Sequence, residues 1–181
     1  MMRSTGGGDE GIGLIELIVA IVISGLFLVV VGTMFVNAWM AQEQVVSTTK
    51  ATNAGQLTGS AIERALRNAL FYEISDGDRV LRVRTSLDGD LRCQGFRFTD
   101  GPAPAFGTVQ SSRDADALPS DELAWPAQSG ISREGTTPFL ARSEEGTLSY
   151  SFQVAAGATP VRIFGDVTPR TPQAGGSDGC W

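Results

Sequence analysis

A run of residues without any charge, at positions 17–41, is the feature that most constrains this sequence. As an α-helix it would be about 37 Å long, which exceeds the roughly 30 Å of a hydrocarbon core. A secretory signal peptide has an apolar region of only about 7 to 15 residues and a small-residue cleavage site, and no Ala-x-Ala follows this run. A core helix of a soluble domain is the other possibility, but a run so long and so uniformly apolar has no amphipathic stripe to place against water. The sequence therefore predicts one membrane-spanning helix.

Composition narrows the function classes that the chain could belong to. Histidine is absent, which excludes Ser-His-Asp triads, Cys-His pairs and zinc sites built on imidazole. Without histidine to activate a serine or cysteine nucleophile, a membrane-anchored hydrolase is only a reserve hypothesis. The formal net charge is −6, from 14 basic and 20 acidic residues, which argues against a surface that binds nucleic-acid phosphates. We predict a non-enzymatic protein without a cofactor or direct nucleic-acid binding.

One acidic residue, Glu16, stands within the apolar stretch that leads into the span. An ionisable group in a membrane-length run costs on the order of 3 kcal/mol unless it finds a partner, so such a group is a functional candidate. The simpler interpretation places Glu16 at the headgroup level, where the carboxylate stays hydrated. Its neighbours in the sequence favour a functional interpretation.

Residues 11–19 read GIGLIELIV, which resembles the N-terminal signal of type IV prepilins and pseudopilins. The resemblance covers about the first 30 residues. It implies that residues 1–11 are a leader ending at Gly11, that Ile12 is the N-methylated first residue of the mature chain, and that Glu16 is the family glutamate. It also implies cleavage by a prepilin peptidase on the cytoplasmic side of the membrane.

The family glutamate has a physical rationale in this sequence. Cleavage would leave an amine on Ile12, and an amine of ordinary pKa near 8 is mostly cationic at neutral pH. Glu16 lies four residues further on the same helix face, so a pair within one subunit is possible. The resemblance favours a pair between neighbouring subunits instead, where low dielectric strengthens the attraction. Glu16 is therefore predicted to act in filament assembly.

The resemblance implies a minor pilin or pseudopilin: a single-pass membrane protein with a cytoplasmic N-terminus and an extracytoplasmic head, which enters a surface filament. Its implied partners are other pilin or pseudopilin subunits, prepilin peptidase, the inner-membrane assembly platform and membrane lipid. Adhesion, motility, DNA uptake and type II secretion systems share this signature, and the sequence leaves the choice among them open. The alternative is a single-span, membrane-tethered extracytoplasmic binding domain outside any filament.

Beyond a transmembrane and assembly helix at residues 12–41, an amphipathic continuation is predicted over 42–75. An apolar stripe recurs at helical spacing, formed by Ile62, Ala65, Leu66, Ala69 and Leu70. Gly55 and Gly59 lower helix propensity, which leaves a bend or a continuous helix possible, and we favour continuity. The turn signal Asp76-Gly77-Asp78 predicts where the helix stops.

Residues 76–167 are predicted to form a β head. Asp88-Gly89 between two β-type runs predicts a hairpin. The runs predicted as strands are 79–85, 91–98, 139–142, 147–154 and 161–167. Residues 99–138 are rich in Pro, Gly, Ser and Asp and are predicted to be a long loop, with one short element near 123–125. Residues 168–181 are predicted to be a flexible C-terminal tail. The predicted class is α+β, with the long helix packed against a small antiparallel sheet, as in pilins.

Cys93 and Cys180 are the only cysteines, and in an exported head they are predicted to form a disulfide that anchors the tail, although two free thiols stay possible. Three Asp-x-Asp pairs offer oxygen ligands, at positions 76 and 78, 88 and 90, and 114 and 116. Calcium requires six to eight oxygens, and turn chemistry explains these aspartates without an ion. No metal site is therefore predicted.

Overall fold

The computed structural model of the chain describes residues 13–87, 90–101, 106–114, 116–157, 159–170, 176–177 and 179–181. Its elements are an α-helix α1 (Leu14–Arg67), a 3-10 helix (Glu122–Ala124), and the strands β1 (Ala69–Ser75), β2 (Val80–Leu87), β3 (Asp90–Thr99), β4 (Gly107–Asp114), β5 (Ala127–Ser132), β6 (Leu140–Arg142), β7 (Leu148–Val154) and β8 (Val161–Val167). The predicted α+β class is confirmed. The chain divides into two compact units, one ending at Glu43 and one beginning at Gln44.

The first unit, where the structure describes it, is the beginning of α1. The helix starts as the backbone N–H groups of Glu16 and Leu17 donate to the carbonyl oxygen of Gly13, at 2.9 and 3.2 Å. Every residue from Leu14 to Glu43 is exposed. In the described part of the chain, α1 is the one helix long and apolar enough to cross a membrane.

The second unit packs the remainder of α1 on one face of an antiparallel sheet. The helix residues buried there are Ala51, Gly55, Gly59, Ile62, Ala65 and Leu66. They meet side chains from the sheet that include Leu81, Val83, Phe96, Phe98, Tyr150 and Phe152. A methyl group on Gly55 would lie 2.5 Å from Cγ1 of Ile163, so the absent side chain lets the helix approach the sheet closely. The helix is continuous through both glycines, as predicted.

The sheet contains all eight strands, and every strand pair is antiparallel. Strands β1 to β5 follow one another in space as they do along the chain, and β5 then pairs with β7 at Ile131 and Ser132. The short β6 pairs with β7 through residues 148–150, while β8 pairs with β7 along its whole length. Antiparallel order with short connections is the arrangement that hairpin signals predict.

The predicted helix over 42–75 is wrong in its last part, because α1 ends at Arg67 and residues 69–75 form β1. The Asn68 side-chain amide donates to the carbonyl oxygen of Arg64 at 2.8 Å, which satisfies one of the last carbonyls of the helix. Backbone hydrogen bonds to β2 then hold residues 69–75, with the sequence ALFYEIS, in an extended strand that suits their aromatic and β-branched side chains. The predicted turn does occur, with positive φ angles of 52° at Asp76 and 75° at Gly77.

The long loop predicted over 99–138 is also wrong, since it contains β4 and β5. Strand β4 has the polar sequence GTVQSSRD, and it forms because β3 and β5 supply ladders on its two edges. The 3-10 helix occupies the predicted position of a short element near 123–125. The strands predicted at 79–85, 91–98, 139–142, 147–154 and 161–167 are confirmed, within one or two residues at their ends.

Candidate functional site

The predicted assembly residue Glu16 lies in the first turn of α1 and is exposed. A carboxylate at this position interacts favourably with the positive end of the helix dipole. Gly11 and Ile12, the predicted processing residues, lie outside the described residues. The pairing of an amine on Ile12 with Glu16 therefore stays a prediction.

Apolar side chains cover the helix beyond Glu16 and face outward in every direction. Examples are Leu26, Leu28, Val29, Met34, Phe35 and Trp39, each of which is more than half exposed. Exposed apolar surface of this extent marks contact with membrane or with other proteins. Its all-round distribution is that of a helix surrounded by apolar material.

In the second unit, Tyr150 of β7 attaches the sheet to α1. Its hydroxyl donates to Oε1 of Glu63 at 2.9 Å, and Glu63 also pairs with Arg67 at 3.2 Å. Burial, together with the neighbouring Glu63 carboxylate, raises the pKa of Tyr150 well above its usual value. A methyl group on Gly59 would lie 2.9 Å from the tyrosine oxygen, so a glycine is needed where the ring meets the helix.

The opposite face of the sheet carries a second, smaller cluster built on a disulfide between Cys93 and Cys180. The carbonyl oxygen of Cys180 accepts from the N–H of Leu118 at 2.9 Å. Trp125 covers Gly95, where an added methyl group would lie 2.2 Å from the indole. The predicted pairing of the cysteines is thus present in the structure.

Residues 180–181, at the end of the tail that is predicted to be flexible, pack against the sheet. The indole N–H of Trp181 donates to Glu73 at 2.8 Å, and the Trp181 ring stacks on Phe71 with 6.1 Å between centroids. Both partners belong to β1, which the sequence prediction assigned to the helix. Because the sequence prediction lacks this strand, it also lacks the surface on which Trp181 packs.

Both members of the first Asp-x-Asp pair, Asp76 and Asp78, make ion pairs with arginines. Asp78 accepts from Arg133 at 2.5 and 3.2 Å and from the Phe139 N–H at 2.7 Å, and these contacts, the Arg133 bond foremost, hold the pKa of the Asp78 carboxyl below its usual value. Asp76 pairs with Arg97 at 3.2 Å.

The remaining acidic positions are not gathered into one site. Asp114 accepts from the N–H of Asp116 at 3.1 Å, Asp90 is exposed, and Asp88 lies outside the described residues. Among the residues that the structure describes, no group of three or more acidic or cysteine side chains could hold a metal ion.

A groove runs along α1 where the helix meets β3, β4 and Pro126. It consists of two adjoining open cavities of about 310 and 440 Å³, which share Leu57, Ala61, Phe96, Ser111 and Pro126. Arg64 and Arg113 line the larger cavity. We name this feature the Arg64–Arg113 groove. The sequence prediction missed it because Arg113 fell in the supposed long loop, and only the pairing of β4 with β3 places it beside the helix.

No family model, curated protein or solved structure matches the chain.

Proposed function

We propose that this chain is a non-enzymatic structural subunit, a minor pilin or pseudopilin, of a type IV pilus-like filament. In this proposal a prepilin peptidase cuts after Gly11, and the mature chain assembles through its hydrophobic N-terminal helix. The head lies outside the cytoplasmic membrane, and the partners are other subunits, the assembly platform and lipid.

One observation carries the proposal: a single carboxylate, Glu16, stands in the first turn of a helix whose next 25 residues are uncharged and exposed. A carboxylate in such surroundings is costly unless a cation approaches it. Cleavage after Gly11 would create that cation four residues earlier. Subunits packed side by side would cover both the charge pair and the apolar surface.

The separate core of the second unit supports the same function. Its aromatic core and its disulfide belong to residues 44–181 and involve none of residues 14–43. The second unit thus has a core of its own, as expected of the head of such a subunit. A subunit of this kind needs no catalytic residues.

The experiment uses full-length chain expressed with and without prepilin peptidase. N-terminal sequencing and intact mass should show a chain that begins with N-methylated Ile12 only when the peptidase is present. An unprocessed N-terminus in its presence would leave the alternative, a membrane-tethered binding domain.

Assembly is tested with Glu16→Ala, which should be processed normally but excluded from filaments sheared off the cells. Glu43→Ala is the matched control, because Glu43 is an exposed acid of the same helix beyond the uncharged run. Equal incorporation of both variants would contradict the proposed role of Glu16.

A further inference from the structure

The Arg64–Arg113 groove presents two cations without acidic partners. Arg64 and Arg113 are both exposed, and neither forms a salt bridge to any residue that the structure describes. The floor beside them is apolar, with Ala61 and Phe96, and Leu57 at its rim is 72% exposed. A carboxylate entering the groove would meet positive charge next to a surface of low polarity, where screening by water is weaker.

The groove also borders an open strand edge. Strand β5 pairs with β4 only from Gly107 to Gln110, and the N–H of Ser111 then donates to the Pro126 carbonyl at 3.0 Å. Because N–H and C=O groups alternate between the two edges of a strand, those of Arg113 point to the same edge as those of Ser111. Within the described ranges, β5 offers no residue opposite Arg113. The edge can therefore accept a further backbone segment.

The complementary charge is found on the turn between β6 and β7. Glu144 and Glu145 are adjacent, exposed and without an ion-pair partner among the described residues. The turn is well defined, because the Ser143 N–H donates to the Thr147 carbonyl at 2.9 Å and Gly146 takes a φ of 83°.

The other adjacent acidic pair in the described sequence is already used within the head. Asp121 accepts from the N–H of Leu123 at 3.1 Å, and Glu122 pairs with Arg82 and Arg97. Glu144 and Glu145 are thus the neighbouring carboxylates that are free to meet another molecule.

We propose that the groove receives the Glu144–Glu145 turn of a second copy of this chain, whose two carboxylates pair with Arg64 and Arg113. The two surfaces differ, so the contact is heterologous: each copy offers a groove to one neighbour and a turn to the next, which builds open chains. This contact rests on the proposed function for its role, because open chains of heads serve a filament subunit, whereas the binding of turn to groove needs only the two surfaces. The contact assigns the head a part in filament assembly, in addition to the N-terminal helix.

The test uses the near absence of lysine from this sequence, in which Lys50 is the only one. Arg113→Lys keeps the charge and introduces an amine that a carbodiimide can couple to a carboxylate within contact distance. Full-length Arg113→Lys protein in detergent, as an equal mixture of ¹⁴N and ¹⁵N chains, is treated with the reagent and digested. Mixed-isotope peptides that join position 113 to Glu144 or Glu145 are the expected product.

Two controls make the result decisive. Arg170→Lys introduces an exposed amine outside the groove and should give no such peptide. Arg64→Gln in the Arg113→Lys chain keeps the amine and both carboxylates but removes one of the two cations of the groove, so it should reduce the cross-link several-fold, and high salt should weaken the cross-link. Absence of the inter-copy peptide, or an undiminished yield of it in the Arg64→Gln variant, would overturn the proposal.

Failure of this contact is distinguishable from failure of the proposed function. The cross-link requires only purified chain and does not depend on cleavage after Gly11. A normally processed chain that incorporates into filaments but gives no cross-link would refute the head contact alone.

Discussion

The two units of the molecule are opposites in what they expose. Residues 14–43 are almost entirely apolar and none of them is buried, whereas the part of α1 beyond Glu43 is largely polar and buries a stripe against the sheet. The second unit holds its aromatic residues in a core and adds ion pairs and a disulfide. The contrast teaches that two adjoining stretches of one helix are suited to different surroundings, the first to an apolar medium and the second to a folded head in water.

The largest of the predicted effects is a loss of membrane attachment when charge is placed in the first unit. Leu26→Arg combined with Leu28→Arg puts two guanidinium groups near the middle of the uncharged run, each costing about 3 kcal/mol on insertion. We expect the variant to leave the membrane fraction on alkaline extraction.

Val45→Arg combined with Leu57→Arg is the matched control. The four side chains are 64%, 68%, 65% and 72% exposed, so exposure alone does not separate the two variants. The control should stay in the membrane fraction. Identical extraction of both variants would break the contrast between the units.

Removal of the disulfide should affect only the head. Cys93→Ser combined with Cys180→Ser releases a link across 87 positions. The chain-entropy model gives a loss of about 4 to 5 kcal/mol in the free energy of unfolding. Urea unfolding followed by near-ultraviolet circular dichroism measures the loss, and alkaline extraction should be unchanged. An unaltered urea midpoint would contradict this prediction.

Glycines of the two units should respond differently to a methyl group. Gly59→Ala drives a methyl into the Tyr150 hydroxyl, and we expect the free energy of unfolding to fall by about 1 to 2 kcal/mol, after the gain in helix propensity. Gly32→Ala is the control, because nothing lies within 4 Å of the added atom.

The Tyr150→Phe background tests the cause of that loss. Without the hydroxyl, the nearest ring atoms lie 3.4 Å from the added methyl, which is ordinary contact. Tyr150→Phe alone should cost about 1 kcal/mol through the lost bond to Glu63. Gly59→Ala should then cost little more, and a full additional loss would refute the steric explanation.

The smallest of these effects is expected in the unfolding of the head by acid. Arg133 lowers the pKa of Asp78 in the folded head below the value of 3.8 typical of the unfolded chain. Stability from this pair is therefore present above pH 3.8 and is lost as the pH falls through the folded-state value. Near-ultraviolet circular dichroism should show a steeper acid loss in the wild type than in Asp78→Asn. Parallel acid curves would exclude the pair as a contributor.

The sequence predicts correctly those helices and strands whose own residues show a clear local pattern. The apolar run gave the helix, and strand β8 has the predicted limits, Val161–Val167, because its β-branched residues and the Gly and Pro before it are local signals. Strand β1 was missed because Ala69 and Leu70 extend the apolar spacing of the helix. Only the ladder to β2, which joins residues distant in sequence, resolves that ambiguity.

The candidate sites also differ in how far the local sequence predicts them. Glu16 is recognisable from its local surroundings, and the pairing of two lone cysteines follows from their number. The Arg64–Arg113 groove was beyond prediction, because it joins a helix to a polar strand whose existence depends on β3 and β5. Gly55 and Gly59 were interpreted as weak points of the helix, and their real role depends on the opposing Ile163 and Tyr150.

The docking of Trp181 on β1 has a consequence for the order in which the head is made. Its bond to Glu73 spans 108 positions, so the first strand of the head lacks this side-chain contact until Trp181 has been synthesised. A polypeptide interrupted before Cys180 would leave Trp125 and Leu118 without their cover. Such a truncated product would expose apolar surface, which would make it a better substrate for proteases than the folded head.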